Sequence, residues 1–332
     1  MTYFAALSYG KPPDIKIAKY PDCDTICLLL QAYAIKASYP VIMAVKAGRQ
    51  NSYQQLFHVS PSTSEYQYCG EQHFLKVLDS EYPAFVEGMT GHRSQFIIFS
   101  NVDEQTFSET FSDPCEKLFS SSYYEYIPDL ALLLVRMTTA AHEQAHNALN
   151  TLINRKLVLM NGLDLELQVM GQVAITSNGR TKHADQTYRP KDLPQTRSDL
   201  WPTVVILARY SQPRTKLADD IRWWLFEAGG DVKTALNITV HQKKREVTIE
   251  KWELIPRGTR QDANKKVAEI TQRAVISQKT VNDPIRVTGC PLTLPFEHFF
   301  LRPANPGEGD IVLDKSDMEA IARLVWNVHS NV

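Results

Sequence analysis

Long apolar runs are missing from this chain. The longest, around Leu130 to Val135, has the length of a strand, far below the ~20 residues of a membrane-crossing helix. Cysteine is scarce: Cys23, Cys27, Cys69, Cys115 and Cys290 are odd in number and scattered, which argues against a disulfide framework and fits reduced thiols. Cys23-x-x-x-Cys27 lacks a second Cys/His pair at zinc spacing, so two buried thiols are the expectation. Low-complexity tracts and internal repeats are also lacking, which argues against disorder and solenoids. The opening MTYFAALSYGKPPD has neither a basic leader nor an apolar core of signal-peptide type. The expected compartment is the cytoplasm or nucleus, with no secretion.

What is present is an ordinary globular composition, 43% hydrophobic and 22% charged over 332 residues, enough for one large or two modest domains. The net charge of −1 singles out no partner. Its distribution is uneven: residues 1–136 hold 10 Lys and Arg against 15 Asp and Glu, and the remainder 26 against 22. That suits a C-terminal half contacting phosphate, or two halves that attract each other. Asn237-Ile-Thr239 is a formal glycosylation sequon, discounted because it falls in an expected core strand.

Hydrophobic spacing predicts a helix over 24–36, a strand over 40–45 and a strand at Phe96–Phe99. Leu130–Met137 reads as a buried strand. Thr138 or Thr139 should cap a helix burying Ala141, Ala145, Ala148, Leu149, Leu152 and Ile153. Strands are expected over 165–175 and 181–188, the second carrying Asp185. A Pro- and Arg-rich loop then leads to a strand over 201–211. Leu217, Ile221, Trp224, Leu225 and Ala228 trace a helix ended by Gly229. A hairpin should pair 232–240 with 247–255 around a basic turn, and 257–279 is basic and weakly patterned. A last helix should begin at Ser316, with Glu319 completing a capping box. From Thr139 the order is helix, three strands, helix, strand, the last strand reached by a right-handed crossover.

That αβββαβ order, with HEQAH near a helix start, KHADQTYRP, WPTVVILARYS, DIRWWLFEAGGDV and IEKWEL, resembles the PD-(D/E)XK, or restriction-endonuclease-like, superfamily. More closely, it looks like a divergent group of mostly uncharacterised fungal proteins assigned to that fold. The likeness spans about 138–254, roughly half the chain. It implies an α/β fold with a mixed central sheet flanked by helices. The expected division is an α+β extension over 1–122, a nuclease-like domain over 123–302 and a tail with a capped helix over 303–332, the first boundary near Ser120-Ser121-Ser122. It also implies Mg²⁺ held by paired carboxylates, with a Lys positioning the attacking water. Asp185 matches the first carboxylate and Glu143 the helix carboxylate some members use. Leu207-Ala208-Arg209 falls on the E-x-K positions. Leucine offers no oxygen, and Arg209 is too basic to accept a proton. Lys182, Asp185, Glu143 and Arg209 are therefore the candidate catalytic set, with Asp185 and Glu143 as the metal ligands. The loss at Leu207 points to a pseudoenzyme that binds nucleic acid or protein, or to a weak Mg²⁺-dependent phosphodiesterase.

Two other readings stand beside it. His142-Glu143-Gln144-Ala145-His146 fits the H-E-x-x-H zinc-peptidase pattern, with Zn²⁺ gripped by His142 and His146, and Asp164 or Glu166 as nearby third donors. The alternative is a non-catalytic scaffold. Nucleic-acid contact, if made, is expected at Arg189, Arg197, Lys243, Lys244 and Arg245. Trp223-Trp224 suggests base stacking, although helical spacing puts at least Trp224 in the core.

Overall fold

A computed structural model describes residues 52–87, 94–112, 123–210, 214–241, 243–258, 260 and 263–328. The helix and strand expected at 24–36 and 40–45, Cys23, Cys27, Cys115 and the Ser120–Ser122 boundary lie outside them. Residues 51–332 form one unit. None of its described helices is long and apolar enough to cross a membrane.

The class is mixed α/β, with mixed sheets flanked by helices. The first sheet is built from β1 (Ser64–Gln67), β2 (Phe96–Ser100), β3 (Tyr123–Ile127), β4 (Leu132–Arg136), β6 (Val173–Ser177) and β7 (Arg180–Ala184), in the order β1-β2-β4-β3-β7-β6. The second holds β5 (Leu167–Val169), β8 (Gln186–Pro190), β9 (Val204–Tyr210), β10 (Thr234–Val240), β11 (Glu246–Pro256), β12 (Lys266–Ser277) and β13 (Arg286–Thr288), in the order β13-β12-β11-β10-β9-β8-β5. Short β14 (Leu292–Leu294) and β15 (Ile311–Leu313) pair separately. The helices are α1 (Ser52–Leu56), α2 (Glu71–Glu87), α3 (Ala140–Leu159), α4 (Arg214–Glu227), α5 (Phe296–Phe300) and α6 (Lys315–Asn327).

The expected return strand over 181–188 is two strands. β7 pairs with β3 and β6 in the first sheet, and β8 pairs with β5 and β9 in the second. The chain crosses from sheet to sheet at Asp185, the single residue between them. β10 lies parallel to β9, as the crossover requires. Both faces of β9 are covered, which is why VVILARY is apolar nearly throughout. Ile206 and Ala208 join the core that includes α3, while Val205 and Leu207 join Trp201, Trp223 and Trp224 in the cluster around α4. Asn237 of the sequon is buried in β10.

The weakly patterned basic stretch is largely β12, a 12-residue strand paired along β11. The last helix starts at Lys315, one residue early. Its capping box is Asp314 with Asp317, not Ser316 with Glu319. Glu319 pairs instead with Arg323 and Lys315 on the exposed face. α6 packs on α3.

Candidate functional site

Thr139 caps α3 as expected, its hydroxyl accepting the His142 N–H at 3.2 Å. This sets His142 and Glu143 in the first turn and His146 one turn on. The Asp185 N–H donates to the Ile206 carbonyl at 3.0 Å, anchoring the crossing residue beside β9. His142, His146 and Asp185, all buried, each place a donor atom within 4.8 Å of the others. Glu143 is not in that trio. Its side chain is 44% exposed and joined to the two imidazoles.

Every oxygen of Asp185 already has a partner. Arg136, at the end of β4, donates to Oδ1 through one guanidinium nitrogen and to Oδ2 through the other at 3.4 Å. The Ala208 N–H donates to Oδ2 at 2.6 Å. Burial alone would raise the Asp185 carboxyl, but Arg136, His142 and His146 hold it below the usual carboxylate range. The histidines are engaged too. His142 sets Nδ1 3.1 Å from Glu143 Oε1 and Nε2 3.1 Å from the Ala208 carbonyl, while His146 sets Nε2 3.0 Å from Glu143 Oε2. Both partners of His142 only accept, so a neutral ring satisfies one of them. Burial and Arg136 push His142 toward that neutral form against the pull of Asp185 and Glu143. Hydrogen bonds from His142 and His146 keep Glu143 ionised far below its ordinary range.

His142, His146 and Asp185 come within metal-sharing reach of one another, but each is already held by a protein partner. The aspartate faces a guanidinium, which is itself a cation, and the carboxylate of α3 turns to the histidines. Mg²⁺ needs open oxygen donors, and Zn²⁺ at the trio would have to draw both imidazoles and the aspartate from these partners.

Lys182 and Arg209 belong to a second cluster. The Lys182 ammonium, 1% exposed, lies 2.9 Å from both Asp219 and Asp220 and 3.5 Å from Glu125. Lys216 reaches Glu125 at 2.5 Å and Asp220 at 2.9 Å. Arg209 donates to Asp220 at 3.3 Å, and the Tyr124 hydroxyl donates to the same oxygen at 2.9 Å. Burial would lower the Lys182 ammonium, but Asp220, Glu125 and Asp219 outweigh it and hold it raised. Tyr124 links the clusters, since the Arg136 guanidinium lies 4.6 Å from its ring centre. Neither Lys182 nor Arg209 is free to meet a phosphate.

Leu207 is level with Asp185, one step beyond the Gln186–Ile206 pair, but packs among tryptophans. Trp223 and Trp224 are both buried, 5.1 Å apart and edge-on, with Trp201 completing the group, so neither is a base platform. Arg189 binds Gln168 and the Asp199 carbonyl, and Arg197 binds the carbonyls of Ser198, Trp201, Pro202 and Asp231. Both tie down their own loop. Lys243 and Lys244 are exposed. Asp164 and Glu166 lie in a single 3-10 turn, and Glu166 pairs with Arg302.

Sequence reasoning missed Arg136, Glu125, Lys216, Asp219, Asp220 and His183. The available signal was a lone Glu inside the aromatic strand YYEYI, and Asp220 one turn after Lys216.

No family model matches the chain, and no curated protein matches it. A solved structure of a "putative nuclease belonging to DUF820" from Anabaena variabilis ATCC 29413 is similar over 61% of this chain and 90% of its own, at 10% identity and a TM-score of 0.32.

Proposed function

We propose that this chain is a pseudoenzyme on a nuclease-type αβββαβ core, acting through its surface and not by cleaving bonds. What carries the reading is the Arg136 guanidinium on Asp185, a side-chain cation where such a core would hold a metal ion. It is supported by the parallel β9 and β10 joined through α4, and by Leu207 in place of a second carboxylate. A permanent internal cation satisfies the aspartate without leaving a coordination position for water or phosphate. The test is supercoiled plasmid with Mg²⁺ or Mn²⁺: no nicking above buffer is expected. Metal-dependent nicking lost in Asp185→Ala would overturn the proposal.

A second reading has one observation in its favour, the convergence of His142, His146 and Asp185. Zinc there would require Arg136 to release Asp185 and Glu143 to release His146. Elemental analysis of protein purified without chelator separates the two: one zinc per chain supports the second reading, and none supports the first.

A further inference from the structure

The turn after β10 and the connection between β12 and β13 enclose a groove of about 800 Å³, whose lining includes five cations: Lys243, Lys244, Arg245, Lys279 and Arg286. Two acids also line it. Glu246 lies 3.1 Å from His241, and Asp283 accepts the Thr280 hydroxyl at 2.6 Å. Lys243, Lys244, Lys279 and Arg286 are exposed and pair with no acid among the described residues.

The walls are fixed to each other. Arg245 donates from Nε to Gln278 Oε1 at 2.8 Å, and the Gln278 N–H donates to the Arg245 carbonyl at 2.9 Å. Gln278 Nε2 donates to the Asp283 carbonyl at 2.7 Å, holding the second loop closed. The Arg245 guanidinium lies 4.6 Å from the Trp326 ring centre on α6. The charges are therefore presented by a pre-set frame, and less ordering is required when a ligand binds.

The lining also indicates what ligand fits. Among the described residues no aromatic side chain lines the groove, so they offer no platform for stacked bases. Val281 is its apolar side chain apart from Pro284, too little to anchor a peptide. A phosphodiester backbone needs neither. The turn follows Val240, three residues beyond Asn237, which is level with Leu207. At ~3.3 Å per residue the groove begins ~10 Å past the Asp185 level, at the same end of the sheet.

We infer that this groove binds the phosphate backbone of duplex nucleic acid without reading its sequence. The inference is independent of whether Asp185 supports cleavage. Fluorescence anisotropy of a labelled 20-base-pair duplex tests it on the full chain. Binding is expected at 50 mM salt, alike for two unrelated sequences, with log K falling against log salt at a slope of about −3 to −4, as for four neutralised phosphates. The variant Lys243→Glu/Lys244→Glu/Lys279→Glu/Arg286→Glu should weaken binding at least ~30-fold and flatten the slope. Lys265→Glu/Lys266→Glu, at the far end of β11, should change it less than ~3-fold. All six side chains are exposed, so both variants should keep the wild-type circular dichroism. Absent binding, undiminished binding by the quadruple variant, or equal competition by polyglutamate would each overturn the assignment, the last by marking a reader of acidic protein. Cleavage of the bound duplex would sink the pseudoenzyme reading and leave the groove standing.

Discussion

Arg136→Ala would strand the Asp185 carboxylate, fully buried, with one backbone N–H at 2.6 Å and a histidine at 3.7 Å. Breaking a buried pair from one side typically costs about 3–5 kcal/mol, whereas replacing both partners with apolar groups is often near neutral. Urea denaturation should show a loss of that size for Arg136→Ala and a smaller one for Arg136→Met/Asp185→Leu. Equal losses would mean the pair is not the unit that matters. His183 supplies a pH dependence. Its ring stands edge-on to Tyr123 at 4.1 Å, neither nitrogen meets a partner among the described residues, and burial followed by Arg136 lowers it to about 3. A histidine kept neutral by the fold supports stability above its unfolded value near 6.5, and that support is lost as pH falls toward 3. Between pH 7 and pH 5 the loss should be about 2 kcal/mol, and His183→Phe, which keeps the edge contact, should abolish most of it in parallel melts at the two pH values. Asp185 was legible because a phrase of sequence carried it. Arg136 was not: at the end of LLLVR it reads as the polar edge of a strand, and nothing local points to a partner 49 residues away.

Elements with one clean periodicity were legible, and those divided between two environments were not. α3 has its cap at Thr139 and one apolar stripe, so spacing was enough. The stretch 180–190 looked like a single strand because its side chains are nearly all buried, and the change of sheet at Asp185 leaves no mark in hydropathy. β12 was hidden for the opposite reason. Its burial is partial along most of its length, so charged residues interrupt the alternation a half-buried strand usually displays. α4 misleads in a third way. Lys216, Asp219 and Asp220 look like a solvated helix face, yet Lys216 and Asp220 are fully buried. Their charges are matched by Glu125, Lys182 and Arg209 from three strands, which removes the penalty isolated charges would face. That network also explains why Lys182 and Arg209, basic residues on strands next to Asp185, hold the two sheets and α4 together.

For residues 51–332 as a unit, the question is whether a division near 122 separates anything that can stand alone. β1 and β2 precede that point, yet β2 pairs with β4 and so belongs to the same sheet as β3, β6 and β7. Phe96, Ile97, Ile98 and Phe99 are each at most 1% exposed, and Phe74, Phe99 and Phe111 share a core with Leu149 and Ile153 of α3. At about 1.5–3 kcal/mol per buried large side chain, β2 alone contributes about 6–12 kcal/mol of burial. That is comparable with the ~5–15 kcal/mol net stability of a whole domain. Cutting at 122 would also bare the β4 edge, a template for aggregation. A fragment spanning 123–332 should therefore show no cooperative thermal transition and elute as aggregate in size-exclusion chromatography, while the full chain melts cooperatively. A soluble fragment melting within a few degrees of the full chain would restore the three-part division and make the first 122 residues a true extension. The same bookkeeping applies at the other end: Ile321, Val325 and Met318 of α6 are fully buried, so ending the chain at 302 should be equally disruptive.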